Sequence, residues 1–177
     1  MWAFYGEVPR EEIPALLLSY VGSLGLNPEA DEKLFQALLG AADGAVENGG
    51  HRPYSSYPVG AAILTSAGKI ASGANVENAS YGGTVCAERN AIWTASAQGH
   101  LSLPDQHLAA VCVWTREPSK PCAFCIGVIL EFLAPGQEYL AIVGIGENQT
   151  GLVQVVSVEA LRRLIWNAND LRTGLGS

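Results

Sequence analysis

The chain has 177 residues, 49% of them hydrophobic and 15% charged, which fits one domain with a full core and excludes a disordered chain. The formal net charge of −7, from 17 acidic and 10 basic residues, argues against a protein that grips a nucleic-acid backbone, since that task needs clustered Lys and Arg. A small neutral or cationic substrate suits this balance better.

Residues 10–24, polar first and apolar after, read as a short helix with Pro14 in its first turn. Asn27-Pro28 reads as an N-cap and first helical residue. Glu29, Asp31 and Glu32 then favour the positive end of the helix dipole. Leu34, Leu38, Ala41, Ala42 and Ala45 recur at helical spacing until Gly49-Gly50. Residues 51–58 form a loop containing Pro and Tyr.

Val59 to Leu64 and Lys69 to Ala74, on either side of Ser66-Ala67-Gly68, read as a hairpin. Its small residues Gly60, Ala61 and Ala62 permit close approach by another backbone or a ligand. Asn75 to Gly83 is a polar loop, and Thr84 reads as the N-cap of a helix over Val85 to Ala97. Leu108 to Trp114 and Tyr139 to Ile145 are continuous apolar runs, as in buried strands. Between them a helix is expected from Cys122 to Leu133, stopped by Pro135-Gly136. Val153 to Val156 reads as a short strand, and Ser157 as the cap of a last helix carrying Leu161, Leu164 and Ile165. Strands alternating with helices after an initial hairpin argue a mixed sheet covered by helices, in one domain.

Four cysteines stand at positions 86, 112, 122 and 125. The chain opens on no basic–apolar–small signal and contains no apolar run of membrane-spanning length, so a cytoplasmic location without a membrane partner is expected. In that setting a Cys-x-x-Cys pair more often binds metal or does redox work than forms a structural disulfide. Cys122 and Cys125 share one face of the first turn of their helix, and Cys86 begins another. Helix N-termini favour thiolates. Three thiolates meeting there make a tetrahedral zinc site with an open fourth position, which binds water and lowers its pKa to about 7.

Glu88, two residues beyond Cys86, is close enough to exchange a proton with such a water without being a ligand. Zn²⁺ with three thiolates carries a net negative charge, which Arg89 is placed to offset. The same cysteines also suit a redox pair or a structural site. A structural Cys₄ site would need Cys112, which sits in a strand run where cysteine is usually a small buried hydrophobe. His51, His100 and His107 show no ligand spacing.

Cys-Ala-Glu-Arg at 86–89 followed by Pro-Cys-x-x-Cys at 121–125 resembles the cytidine deaminase family, in its form with three cysteine ligands. The resemblance extends to Tyr54-Ser55-Ser56-Tyr57-Pro58-Val59-Gly60-Ala61-Ala62, to Gly73-Ala74-Asn75-Val76-Glu77-Asn78-Ala79-Ser80-Tyr81 and to Leu130-Glu131-Phe132, and covers residues 30–171. It implies a three-layer α/β/α fold with a mixed five-stranded sheet and helices on both faces. Residues 1–26 would be an N-terminal helical extension and 27–177 the catalytic domain. The implied activity is hydrolytic deamination of cytidine or deoxycytidine at C4, with one zinc per subunit, in a homotetramer. Glu88 would protonate N3; Cys86, Cys122 and Cys125 would hold the metal. Asn75 and Glu77 match positions that bond the ribose hydroxyls, chemistry for which Asn offers donor and acceptor and Glu a strong acceptor. Tyr57 stands where the family commonly has Phe against the base, and Ala87 would offer backbone groups to the base edge.

By residue type alone, Asn75 and Glu77 are also ordinary loop polars and Tyr57 ordinary packing. The chain departs from the family at Ala123 for Gly, at Ile126-Gly127 for Arg-Gln, and at Leu161-Arg162-Arg163-Leu164 near its last helix. An apolar Ile126 would fit a specialised deaminase of a modified cytosine nucleoside, such as an N4-substituted cytidine or a nucleoside antibiotic.

Overall fold

The computed structural model describes residues 3–27, 29–102 and 105–164. Its centre is a six-stranded sheet in the order β1-β6-β5-β4-β2-β3. The strands are β1 Ala3–Pro9, β2 Gly60–Thr65, β3 Ile70–Ala74, β4 Leu108–Trp114, β5 Tyr139–Ile145 and β6 Thr150–Ser157. All neighbours pair antiparallel except β4 and β5. A parallel pair needs a crossover, and here it is made through helix α4, Ala123–Glu131.

Alternation along the strands divides the core in two. Ala62 and Leu64 of β2, with Ala110 and Cys112 of β4, face helices α1 (Ile13–Leu18) and α2 (Glu32–Asn48). Ala61, Ile63, Val111 and Val113 face α3 (Ala87–Ala97), α4 and α5 (Val158–Leu164). The expected layers are therefore present, but the sheet has six strands rather than five.

The added strand is β1, which pairs with β6 from Ala3 opposite Val155 to Pro9 opposite Thr150. It comes from the segment expected to be purely helical. After it, residues Arg10–Glu12 make one 3₁₀ turn and α1 spans only six residues, shorter than the 10–24 helix expected. Ile13 and Leu17 are fully buried against Phe35 and Leu38, so the segment shares the core of the α2 face. Arg10 adds a bidentate ion pair to Asp43 of α2.

Three local expectations shift for identifiable reasons. Asn27 does not cap α2, because its side chain accepts from the Glu29 N–H at 3.0 Å in a turn of its own. Asp31 caps instead, accepting from Leu34 N at 3.2 Å. The strand expected over 153–156 runs the full length of β5, because β5 offers partners from Tyr139 to Ile145. Of the last helix, Ile165 lies outside the described residues.

The expected hairpin forms, with Gly60 opposite Ala74 and Leu64 opposite Ile70. Its small residues admit helices closely. A Cβ on Gly60 would lie 2.3 Å from the Ala42 carbonyl of α2, and one on Gly73 would lie 2.5 Å from the Ala91 nitrogen of α3. Gly73 thus fixes how near α3, and the residues at its start, come to the sheet.

Replacing Ile13 by Ala removes a fully buried side chain and should lower unfolding free energy by about 2–5 kcal/mol. Urea denaturation would read this as a lower midpoint at unchanged slope. A loss below about 0.5 kcal/mol, the range of ordinary surface changes, would mean that the N-terminal segment is peripheral to the core.

Candidate metal centre

The site is built on a strip of extended backbone that ends at a helix. Val76 and Val85 exchange both backbone hydrogen bonds, at 3.0 and 2.9 Å, and close the loop between them. On the other side of the strip, His51 N donates to Asn75 O at 3.1 Å and Glu77 N to His51 O at 2.7 Å. The chain therefore reaches Cys86 still extended, with φ −68° and ψ 153°, and turns helical at Ala87. Cys86, not Thr84, occupies the N-cap position. The Thr84 hydroxyl is used instead to accept from Asn78 N at 3.1 Å.

Helix α4 repeats the arrangement. Cys122 is extended at its N-cap, with φ −68° and ψ 162°, and Cys125 lies in its first turn. Asn90 N reaches Cys86 O at 3.2 Å and Ile126 N reaches Cys122 O at 2.9 Å, the first bond of each helix. Helix geometry leaves the preceding N–H groups without intrahelical partners at the end of each helix where its cysteines lie. Asn90 also ties α3 to the sheet, donating to Ala74 O at 2.7 Å.

The Sγ atoms of Cys86, Cys122 and Cys125 all lie within 4.8 Å of one another. That spacing fits a single tetrahedral ion with Zn–S bonds of about 2.3 Å. Cys112 is fully buried on the opposite face of the sheet, among residues packed on α1 and α2, so it belongs to a different layer from the other three. Burial pushes its thiol well up, in keeping with an inert core residue.

Electrostatics separate the three clustered sulfurs. Cys86 is drawn down to about 5, chiefly by a hydrogen bond from the Cys125 thiol, against burial and with help from Arg89. Cys125 is pushed up, chiefly because its proton is shared with Cys86. Arg89 donates to Thr84 O at 3.1 Å and lies 3.7 Å from Cys86 Sγ. Glu88 is 4% exposed, and burial pushes its carboxyl up, opposed by its own backbone N–H and reinforced by the Cys86 thiolate.

The remaining expected residues join the same strip. The Asn75 side chain donates to Tyr57 O at 2.9 Å and accepts from Val59 N at 3.1 Å. Glu77 accepts from Tyr54 N at 2.9 Å, from Ser55 N at 3.1 Å and from the Ser55 hydroxyl. These bonds hold its carboxyl below the usual range, the Ser55 hydroxyl contributing most. Ala87 is buried at the first position of α3. Tyr57 is partly exposed, with the Arg116 guanidinium carbon 5.5 Å from its ring centroid. Sequence reasoning missed Ser55 and Arg116, together with Phe124 and Trp93, whose rings flank Arg89. Only the one-turn spacing of Arg89 and Trp93 carried a signal in the sequence.

Residues 28–137 match the family model of the cytidine and deoxycytidylate deaminase zinc-binding region. The chain belongs to this family. It is 38% identical over 124 residues to the cytidine deaminase of Halalkalibacterium halodurans, a match covering 70% of this chain and 87% of that one. A probable cytidine deaminase of Dictyostelium discoideum is 47% identical over 77 residues, 44% of this chain and 49% of that protein. The crystal structure of cytidine deaminase from Burkholderia pseudomallei aligns with a TM-score of 0.58 at 39% identity, covering 71% of this chain and 94% of that chain. The family's zinc has a matching group of donors here in the three clustered cysteines.

Cysteine binds zinc as thiolate, so loading must displace whatever protons the three sulfurs hold. Zinc affinity should therefore rise with pH between 6 and 8 in competition with a chelator of known pH dependence, with net proton release on binding. An affinity flat over that range would contradict ligation by cysteine thiolates.

Proposed function

We propose that the chain hydrolytically deaminates cytidine and deoxycytidine to uridine and deoxyuridine, releasing ammonia, in a zinc-dependent reaction. The observation that carries this reading is the buried Glu88 carboxyl at the start of the helix that opens on Cys86, beside three gathered sulfurs. Cys86, Cys122 and Cys125 would hold zinc, which supplies a water activated for attack at neutral pH.

With zinc held there, Glu88 would pass one proton of the water to N3 of the base and, as the C4–N bond breaks, the proton of the new C4 hydroxyl to the amino group, which leaves as ammonia. Its burial suits both halves of the task, since a carboxyl raised by desolvation both accepts and returns a proton readily. Arg89 offsets the surplus negative charge of the sulfurs. Asn75 and Glu77 offer remaining hydrogen-bonding capacity to the sugar hydroxyls, Tyr57 a ring face to the base, and Ala87 its free backbone N–H to the base edge.

Ile126 packs against the core beside α3. This partly buried packing role is compatible with a plain nucleoside substrate. Residues 27–177 form the catalytic unit in this reading, in line with a family match beginning at residue 28. Residues 1–26 are an extension in this reading, although Ile13, Leu17 and Leu24 within it belong to the core. Assembly as a homotetramer is part of the same reading, supported by the exposure of Tyr81 before α3 and of Trp93 along it. Among the described residues no helix is long and apolar enough to cross a membrane.

Purified zinc-loaded protein should convert cytidine to uridine with one ammonia per turnover. Glu88→Gln should keep its zinc and lose turnover by a factor of at least about 10²–10⁴. Turnover by the Gln variant within tenfold of the parent would remove Glu88 from the chemistry. Conversion of an N4-substituted cytidine with none of cytidine would reverse the substrate assignment.

A further inference from the structure

The second cysteine stretch departs from the family pattern around its ligands, and the residue directly before Cys125 has a partner on the other helix. Phe124 follows the first residue of α4, between Cys122 and Cys125, and is 65% exposed. The Arg89 guanidinium carbon lies 4.6 Å from the centroid of its ring and 5.9 Å from that of Trp93. Trp93 stands one turn along α3 from Arg89 and so approaches from the same helix. Phe124 approaches from α4. A ring from each helix thus brackets the guanidinium in the seam between them.

The polar holds on that guanidinium are few. One Nη serves both the Thr84 carbonyl and the Cys86 sulfur, Cys125 adds a further attraction to the cation, and Nε is buried without a hydrogen-bond partner. The sulfur contact, at 3.7 Å, is long and therefore chiefly electrostatic. Two bonds from one end of a planar five-donor fork do not fix its plane. Stacking on a ring does, and a guanidinium over an aromatic face is also attracted to it.

We propose that Phe124 is a positioning residue for the metal centre, acting through Arg89. It holds the guanidinium against the Cys86 thiolate, where the cation offsets the net charge of 2 − 3 = −1 on an ion with three thiolates. The inference rests on the zinc reading of the three cysteines. Without the Phe124 ring the ligands and Arg89 remain, but the cation is free to swing toward water, and the gathered thiolates are less well compensated. The metal is then held more loosely although no ligand has changed.

Zinc affinity of the full chain, measured at one pH by chelator competition, tests this with Phe124→Ala, Arg89→Ala and the double variant, each checked for oligomeric state. Arg89→Ala and Phe124→Ala should each weaken zinc binding by about tenfold, the lower end of the range for residues supporting metal ligands. The double variant should bind no more weakly than Arg89→Ala, since the ring then has nothing to hold. Phe124→Tyr should restore affinity, and Phe124→Leu, apolar but without a π face, should not. Unchanged affinity in Phe124→Ala, additive losses in the double variant, or rescue by Leu equal to that by Tyr would each overturn the proposal. A parent chain that binds no zinc would instead overturn the metal reading beneath it.

Discussion

Three sulfur ligands that repel one another as thiolates must be gathered by the backbone before any ion can use them. Here that gathering depends on one constraint: the chain stays extended through Cys86 and through Cys122 and becomes helical at the next residue. Each extended approach has its own cause. The Val76–Val85 bridge delivers Cys86, and the segment after β4 delivers Cys122 at the end of the buried β4–β5 pair. Both helices thus start at the cysteines, where the positive end of each helix dipole favours thiolate. Gly73 matters because it lets α3 lie directly on β3, which sets where Cys86 and Glu88 come to rest.

The same strip explains why Asn75 and Glu77 have two jobs in the proposed reading. Both already organise the loop over residues 54–59, Asn75 by bridging Tyr57 and Val59, Glu77 by gathering Tyr54 and Ser55. Each side chain keeps unused capacity, since a carboxylate offers about four lone-pair directions and an amide two donors and two acceptor sites. A substrate hydroxyl would complete an existing network rather than create one. Substitution at either position should consequently disturb the loop as well as any ligand contact.

Much of this was legible in the sequence because local and global preferences agree. The apolar runs of β4 and β5 are buried on both faces, the hairpin carries its turn at Ser66-Ala67-Gly68, and the cysteine spacing marks a helix start, with Cys122 at the N-cap rather than in the first turn with Cys125. What escaped depends on partners distant in the chain. Residues 3–9 contain Gly6 and end in Pro9, a poor strand by composition, and they become β1 only because β6 presents an edge to pair with. Thr84 has the chemistry of a cap, yet tertiary pairing keeps it extended and uses its hydroxyl elsewhere. Arg116 over Tyr57 and Phe124 over Arg89 join elements whose proximity exists only after folding.

The central claim is that three cysteines, and not four, hold one metal ion with a position left for solvent. X-ray absorption at the zinc edge of the loaded protein measures this directly. The account predicts three sulfur neighbours at about 2.3 Å and one oxygen neighbour at about 2.0 Å. A first shell of four sulfurs, which would require Cys112 to leave the opposite layer of the core, would contradict it, as would a shell without sulfur.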